Sequence, residues 1–305
     1  MKSCRKTSGT KFISGSPEKN QKSLTSFASK RAAERNLAII SFILVTFFAI
    51  LVLLPLWWIF RSSLMTNPEI GTLNFFPSRW LWENYRGSLE KFHYFRYLWN
   101  TAQIVVPTVF FGTVTATMCG YSFARLYFPG KKIVFSLCIA SMLLPPMVTL
   151  IPLYIGWVRI LGLGGTYWPL ILPFLCGGGA FNIFLMRQFI MSVPRDLDES
   201  AMIDGAGHIR ILTQIIVPSI KPAIIVVGLF IFLYNWNDVL QQNVYIQKPE
   251  MYTIALGLKQ FIGSYGIDWK YCMAATCLSI IPGIVIYLIG QKYFVEGIVM
   301  TGMKN

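Results

Sequence analysis

The sequence predicts an all-α membrane protein with six transmembrane helices, and three observations carry that prediction. Of its 305 residues, 54% are hydrophobic and only 13% are charged, against about 25% charged in a soluble domain. The charges leave wide gaps. No Asp, Glu, Lys or Arg lies between Arg35 and Arg61, Arg96 and Arg125, Lys132 and Arg159, Arg159 and Arg187, or Lys270 and Lys292, and the stretch from Arg210 to Asp238 is broken only by Lys221. Each gap holds the ~20 residues needed to cross a hydrocarbon core of about 30 Å. Finally, period-two alternation is absent. In lipid only a helix or a closed barrel satisfies every backbone N–H and C=O, so the gaps are helices.

Residues 1–36 carry nine of the 27 basic residues and are rich in Ser, Thr and Lys. Such a composition predicts a disordered basic tail. The apolar segment behind it is too long for a cleavable signal and has no A-x-A-type site at its end. Span 1 is Leu37–Phe60, with Trp57 and Trp58 near its far end, where indoles anchor at the interface. Residues 61–97 follow as a loop rich in aromatics, among them Phe75, Phe76, Trp80, Trp82, Phe92 and Phe95. That content predicts an interfacial segment along the outer membrane face, or a docking surface for a partner.

Span 2 is Leu98–Ala124 and opens on Asn100, Thr101 and Gln103. Gly112, Ala116 and Gly120 recur every four residues, which makes one face small enough to meet another helix at close range. Pro129-Gly130 breaks the turn Arg125–Lys132. Span 3, Ile133–Val158, contains Pro145, Pro146 and Pro152. Prolines free backbone carbonyls, so a kinked helix is expected, either lining a cavity or bent for packing. Span 4, Trp168–Met191, carries Pro173 and the triplet Gly177–Gly179.

Between spans 4 and 5 lies Asp198–Pro222, a polar interruption carrying both signs of charge. Helical spacing puts Ala201, Met202, Asp204 and Gly205 in one turn behind Glu199. The result is a short helix with a small side and a charged rim, which another protein can approach closely. A glycine in mid-helix costs about 1 kcal/mol relative to alanine. At Gly205, then, either the helix breaks or something packs against it.

Span 5, Gln214–Asp238, ends in Asn235, Trp236, Asn237 and Asp238. Such a polar cluster is costly in hydrocarbon and should face protein, a water-filled cavity or the interface. A loop, Gln241–Lys270, leads to span 6, Tyr271–Tyr293, which contains Pro282-Gly283. Residues 295–305 form a short C-terminal tail.

Six spans place both termini on one side. That side carries 18 basic residues: the nine of the N-terminal tail with Arg125, Lys131, Lys132, Arg187, Arg195, Arg210, Lys221, Lys292 and Lys304. The other side carries nine, from Arg61 to Lys270. The positive-inside rule then puts both termini and the Asp198–Pro222 segment in the cytoplasm of a cell-membrane protein.

The same distribution accounts for the net charge of +14. Basic residues flank spans, where they set topology and touch anionic membrane lipids, and no nucleic-acid partner is expected. The six cysteines show no CxxC or Cys/His ligand spacing, and two isolated histidines, His93 and His208, form neither a metal site nor an acid–base pair. No catalytic residue or metal site is therefore expected. An ion-coupled secondary transporter acting without an ATPase is the alternative reading. That class needs ionisable residues inside its spans, and these spans have almost none.

The segment from Glu199 to Pro218 resembles the EAA signature of ABC-importer permease subunits. That signature reads Glu-Ala-Ala, three residues, Gly, nine residues, Ile, one residue, Leu-Pro. This chain has Glu199-Ser200-Ala201, Gly205, Ile215 and Val217-Pro218. Ser200 replaces an Ala and Val217 a Leu, and both keep the helix packable. Tyr121–Lys132, Leu144–Tyr154, Phe184–Pro194, Asp204-Gly205-Ala206, Asn235–Asp238 and Tyr252–Leu258 look like the carbohydrate-uptake branch, the group of the maltose permease inner subunit. The resemblance runs from about residue 37 to the end.

It implies the type I importer permease fold, with a five-helix core over 98–294 and a coupling loop at about 194–213. Glu199, Ser200, Ala201, Asp204, Gly205, Ala206 and Pro218 would then couple to the ATPase, and Asn235, Trp236, Asn237 and Asp238 would lie on the translocation path. The implied partners are an ABC ATPase dimer, a second homologous permease subunit and an extracytoplasmic solute-binding protein. The chain has no GxxxxGK[ST], so no cofactor is expected in it, and ATP-Mg would be bound by the ATPase.

Overall fold

The computed structural model describes the backbone of residues 17–263 and 266–302. The chain falls into two compact units, Met1–Trp58 and Ile59–Asn305. The described part of the first is helix. It begins at Pro17, well before Leu37, which corrects the expected disordered tail from that point on; Met1–Ser16 lie outside the described residues. The reason is local. From Glu18 to Asn36 there is no Gly or Pro, the Glu, Lys, Gln, Ala and Arg in it are good helix formers, and Pro17 suits the first helical position. Polarity alone was a poor guide. Apolar residues then surround the axis, with Leu37, Phe42, Val45 and Val52 all exposed, as a span in lipid requires.

The second unit is a helical bundle around span 2, which runs as one helix, Tyr94–Arg125. It packs most extensively against the helix Ala180–Ser192 of span 4, and next against Lys221–Asn237 of span 5. The small stripe makes the first contact possible. A Cβ on Gly120 would stand 2.8 Å from Met186 Cβ and 2.9 Å from the Arg187 nitrogen. On Gly178 it would stand 2.8 Å from the Gly112 carbonyl oxygen. Gly178 also has φ +65, a left-handed conformation that favours glycine. The triplet Gly177–Gly179 therefore breaks span 4 and lets its backbone touch span 2.

Among the described residues four helices are long and apolar enough to cross a membrane, and six spans result if each of two bent pairs counts as one. Span 3 is bent by 103° between Lys131–Ser141 and Pro146–Ile160. Pro145 is extended and Pro146 starts the second helix, so the chain stops before the Pro-Pro pair and restarts after it. None of the residues of this hairpin is fully buried: Ile133, Leu143, Met147 and Ile151 are exposed, and Tyr154, Trp157 and Val158 pack only partly buried against the core. Span 5 is likewise bent, by 83°, between His208–Ser219 and Lys221–Asn237.

The aromatics of residues 61–97 divide between two fates. Phe92 is fully buried, whereas Phe75, Phe76, Trp80, Trp82 and Phe95 are exposed. The helix Glu83–Phe92 packs on span 6, with Ser88 Oγ donating to the Tyr271 carbonyl at 3.1 Å. Arg61, read from the sequence as a span boundary, is buried and donates to the carbonyls of Asn74 and Thr72 at 2.5 and 3.1 Å.

The loop between spans 5 and 6 folds into short helices and a two-residue hairpin, Ile262–Gly263 with Gly266–Ile267. The polar opening of span 2 holds it. Asn100 Nδ2 donates to the carbonyls of Glu250 and Tyr252, both at 2.9 Å, and the Ile254 amide donates to Thr101 Oγ1 at 3.0 Å. Thr253 bonds Gln242, whose Nε2 donates to the Asn235 carbonyl at 3.1 Å. The buried side chains of Asn100, Thr101, Gln242 and Thr253 are thus paired, as burial demands.

Candidate functional site

The segment between spans 4 and 5 has a definite local logic. A helix, Asp196–Ile203, starts with Asp196, Asp198 and Glu199 in its first turn, where acidic groups complement the dipole. It ends before Gly205. The Gly205 amide donates to Met202 O at 3.0 Å and the Ala206 amide to Ala201 O at 2.9 Å, the paired bonds of a Schellman cap. Gly205 sits at φ +79, which a side chain makes costly by roughly 1–2 kcal/mol. Of the two outcomes open to Gly205, the helix break is the one that occurs. The chain restarts as a helix at His208. A π turn, Leu212–Ile216, comes just before Pro218, whose ring would clash with the residue 214 carbonyl in a regular helix.

The short helix is pinned to the end of span 2. Arg125 Nε stands 2.7 Å from Asp198 Oδ2, and the two side chains are only 6% and 7% exposed. The Nε–H is not aligned on the carboxylate, so this is an ionic contact rather than a directed hydrogen bond. Arg125 Nη2 donates to Val193 O at 2.6 Å, and the buried Tyr121 hydroxyl lies 3.4 Å from His208 Nδ1. Ala201 and Ala206 pack inward against the cluster containing Tyr121, Met186 and Ile211.

Ala201 and Ala206 therefore face their own bundle, whereas Ser200 and Gly205 are exposed. Outward stand Leu197, Met202 (47% exposed), Ile203 (87%) and Ile209 (80%). Glu199, Ser200, Asp204 and Gly205 are exposed among them. Among the described residues, neither Glu199 nor Asp204 makes an ion pair. The outward face is thus apolar with a free acidic rim.

The Asn235–Asp238 cluster separates in the same way. Asn235 is buried, donates to Ile231 O at 2.8 Å and accepts at its carbonyl from Gln242. Asp238 Oδ1 accepts from the Gln241 amide at 3.1 Å, at the start of the helix Leu240–Tyr245. Only Trp236 and Asn237 line a cavity of about 410 Å³ between spans 5 and 6. Thr276, Ser279 and Tyr287 line it too. Thr276 and Ser279 spend their protons on the carbonyls of Cys272 and Ala275, both at 2.7 Å. Their oxygens remain as acceptors. Trp236 is held by stacking on Phe232, centroids 5.3 Å apart.

Sequence reasoning missed the Arg125–Asp198 pair and the outward apolar face. The first had a faint signal: Arg125 closes a long uncharged window, and the nearest acidic residues after it begin at Asp196. The second had none, because the rotation of the short helix is set by that pair.

Residues 112–299 match the family described as "Binding-protein-dependent transport system inner membrane component". The chain is similar to the probable ABC transporter permease protein YurM of Bacillus subtilis (strain 168), 30% identical over 252 residues that cover 82% of this chain and 83% of that one. It is also similar to the maltodextrin transport system permease protein MdxG of the same organism, 30% identical, covering 88% of this chain and 96% of the relative. In fold it resembles a chain from the crystal structure of a bacterial ABC transporter involved in the import of the acidic polysaccharide alginate. That match has a TM-score of 0.74 at 24% identity and covers 86% of this chain and 98% of the other. This chain belongs to the family of binding-protein-dependent transport system inner membrane components: it is a membrane-embedded permease subunit of an ABC importer and not an enzyme.

Proposed function

We propose that this subunit imports a sugar or sugar-like solute and is driven through the loop at about 194–213 by a separate ATPase that binds ATP-Mg. One observation carries the coupling assignment: an exposed apolar face, Leu197, Met202 and Ile203 on a helix pinned by a buried ion pair with Ile209 on the helix that follows, and Glu199 and Asp204 as a free rim. Such a face suits an apolar cleft edged by basic groups. Pro218 and the bend after it join the segment to span 5. The ATPase must bind one orientation of the segment more tightly than another to shift the spans. The segment and both termini are cytoplasmic on the positive-inside count. A second permease subunit completes the path, and an extracytoplasmic binding protein delivers the solute.

Two things support the sugar assignment. A relative sharing 30% identity is named for maltodextrin transport. In addition, the cavity between spans 5 and 6 pairs the aromatic rings of Trp236 and Tyr287 with the hydroxyls of Thr276 and Ser279 and the amide of Asn237, the mixture that sugar C–H faces and hydroxyls need.

The test is uptake by vesicles that hold the complete transporter, offered maltotriose, galactobiose and leucine. ATP-dependent uptake of a carbohydrate is expected, and Gly205→Asp abolishes it while leaving membrane insertion intact. Uptake without an ATPase, or of leucine alone, contradicts the proposal.

A further inference from the structure

A second cavity, of about 700 Å³, opens beside the turn between spans 2 and 3, and the coupling mechanism makes no use of it. Its rim is basic. Lys131, Lys132 and Arg187 line it, and Arg187 and Arg195 are both near enough to Lys131 for their charges to repel it. Among the described residues none of these four forms an ion pair. Lys131 Nζ is tethered to Leu126 O at 2.7 Å, and Arg187 to Phe123 O at 3.3 Å with its guanidinium 4.4 Å from the Phe135 ring centroid. Like charges are therefore gathered, two of them held in place, and among the described residues none has an acidic partner. The helix Lys131–Ser141 begins here after Gly130, adding the first-turn amides of Lys132 and Ile133, which have no partner within the helix.

The wall is apolar. Phe123 contacts Phe128 and Phe135 at centroid distances of 6.0 and 5.3 Å. From the rim, the exposed side chains of Ile133, Val134 and Leu137 continue along the helix. A soluble anion would use the rim and leave this strip idle. A molecule with an anionic head and a hydrocarbon tail uses both.

We propose that this cavity is a binding site for the phosphate headgroup of an anionic phospholipid, with an acyl chain laid along Ile133 and Leu137. Basic pockets at helix ends on the cytoplasmic side hold such headgroups. The inference rests on the orientation proposed above only for the choice of leaflet.

The test is native mass spectrometry of the purified transporter in detergent, titrated with dioleoyl-phosphatidylglycerol or dioleoyl-phosphatidylcholine. Retention involves no transport and no topology, so its failure leaves the import assignment untouched. Phosphatidylglycerol is expected to be retained at least tenfold more strongly. Lys132→Gln, on an exposed side chain, should weaken that retention by about fivefold, and Lys131→Gln with Lys132→Gln by about twenty-fivefold. Phosphatidylcholine retention should not change. Equal retention of the two lipids, or no effect of either variant, overturns the site. If inorganic phosphate at millimolar concentration displaces phosphatidylglycerol from the wild type, the ligand is a soluble anion and the lipid assignment fails. The wild-type comparison needs no variant to fold.

Discussion

The two ends of span 2 are fastened by opposite means. At the Arg125 end, a buried ion pair and the apolar packing of Ala201 and Ala206 hold the short helix Asp196–Ile203 against the bundle. At the Asn100 end, the loop between spans 5 and 6 is held by many neutral hydrogen bonds, shared among Asn100, Thr101, Gln242 and Thr253. A distributed network loses little when one bond goes. A desolvated pair loses more when one partner goes, because the charge left behind stays buried and the apolar packing of Ala201 and Ala206 cannot pair it. The stiff end suits a loop that frames a cavity, and the brittle end suits a lever that must move as one piece.

The largest effects should therefore fall at the ion pair. Arg125→Ala or Asp198→Ala should each cost about 3–5 kcal/mol, read as a lowered unfolding midpoint of the purified complex. Arg125→Met combined with Asp198→Leu should recover most of that stability, yet leave ATP hydrolysis uncoupled from uptake if the pair orients the lever. Single variants that cost no more than a loop hydrogen bond would erase the contrast between the ends.

Mid-span packing comes next. Gly120→Ala sets a methyl 2.8 Å from Met186 Cβ and should cost about 1–3 kcal/mol by overpacking, seen in the same unfolding measurement. Substitution at Gly112, whose Cβ would approach the flexible end of Ile231 at 3.0 Å, should cost less. At the far end, Asn100→Ala removes two bonds and should cost about 1–3 kcal/mol. It should speed proteolysis of the loop between spans 5 and 6. Thr101→Val removes the acceptor for the Ile254 amide and should cost about 1 kcal/mol, the smallest change of the series.

Much of this was legible from residue types. The gaps between charges marked every span, and the Gly112, Ala116 and Gly120 stripe marked the face that meets span 4. Those signals are periodic or cumulative, so they survive without tertiary knowledge. The prolines of span 3 were foreseen as a kink, but not as a turn of 103°, and the bend of 83° after Pro218 was not foreseen, since proline ends a helix without choosing a direction. Ala201 illustrates the limit. Its size suggested an approach by a partner, yet it packs inward, because the helix rotation follows from Asp198 reaching Arg125 across 73 residues of chain. Asn235 and Asp238 likewise read as path residues in a polar cluster, and their hydrogen bonds tie them into the protein, which leaves Trp236 and Asn237 facing the cavity.

The central claim is that an outward apolar face on a pinned helix receives the stroke of the ATPase. The most direct measurement is site-specific cross-linking from Ile203→Cys, in a chain otherwise free of cysteine, within membranes holding the assembled transporter. The account predicts that the ABC ATPase is captured, with a yield that changes when ATP is added. A full-length, inserted chain whose residue 203 captures lipid or nothing, while uptake continues, would contradict it.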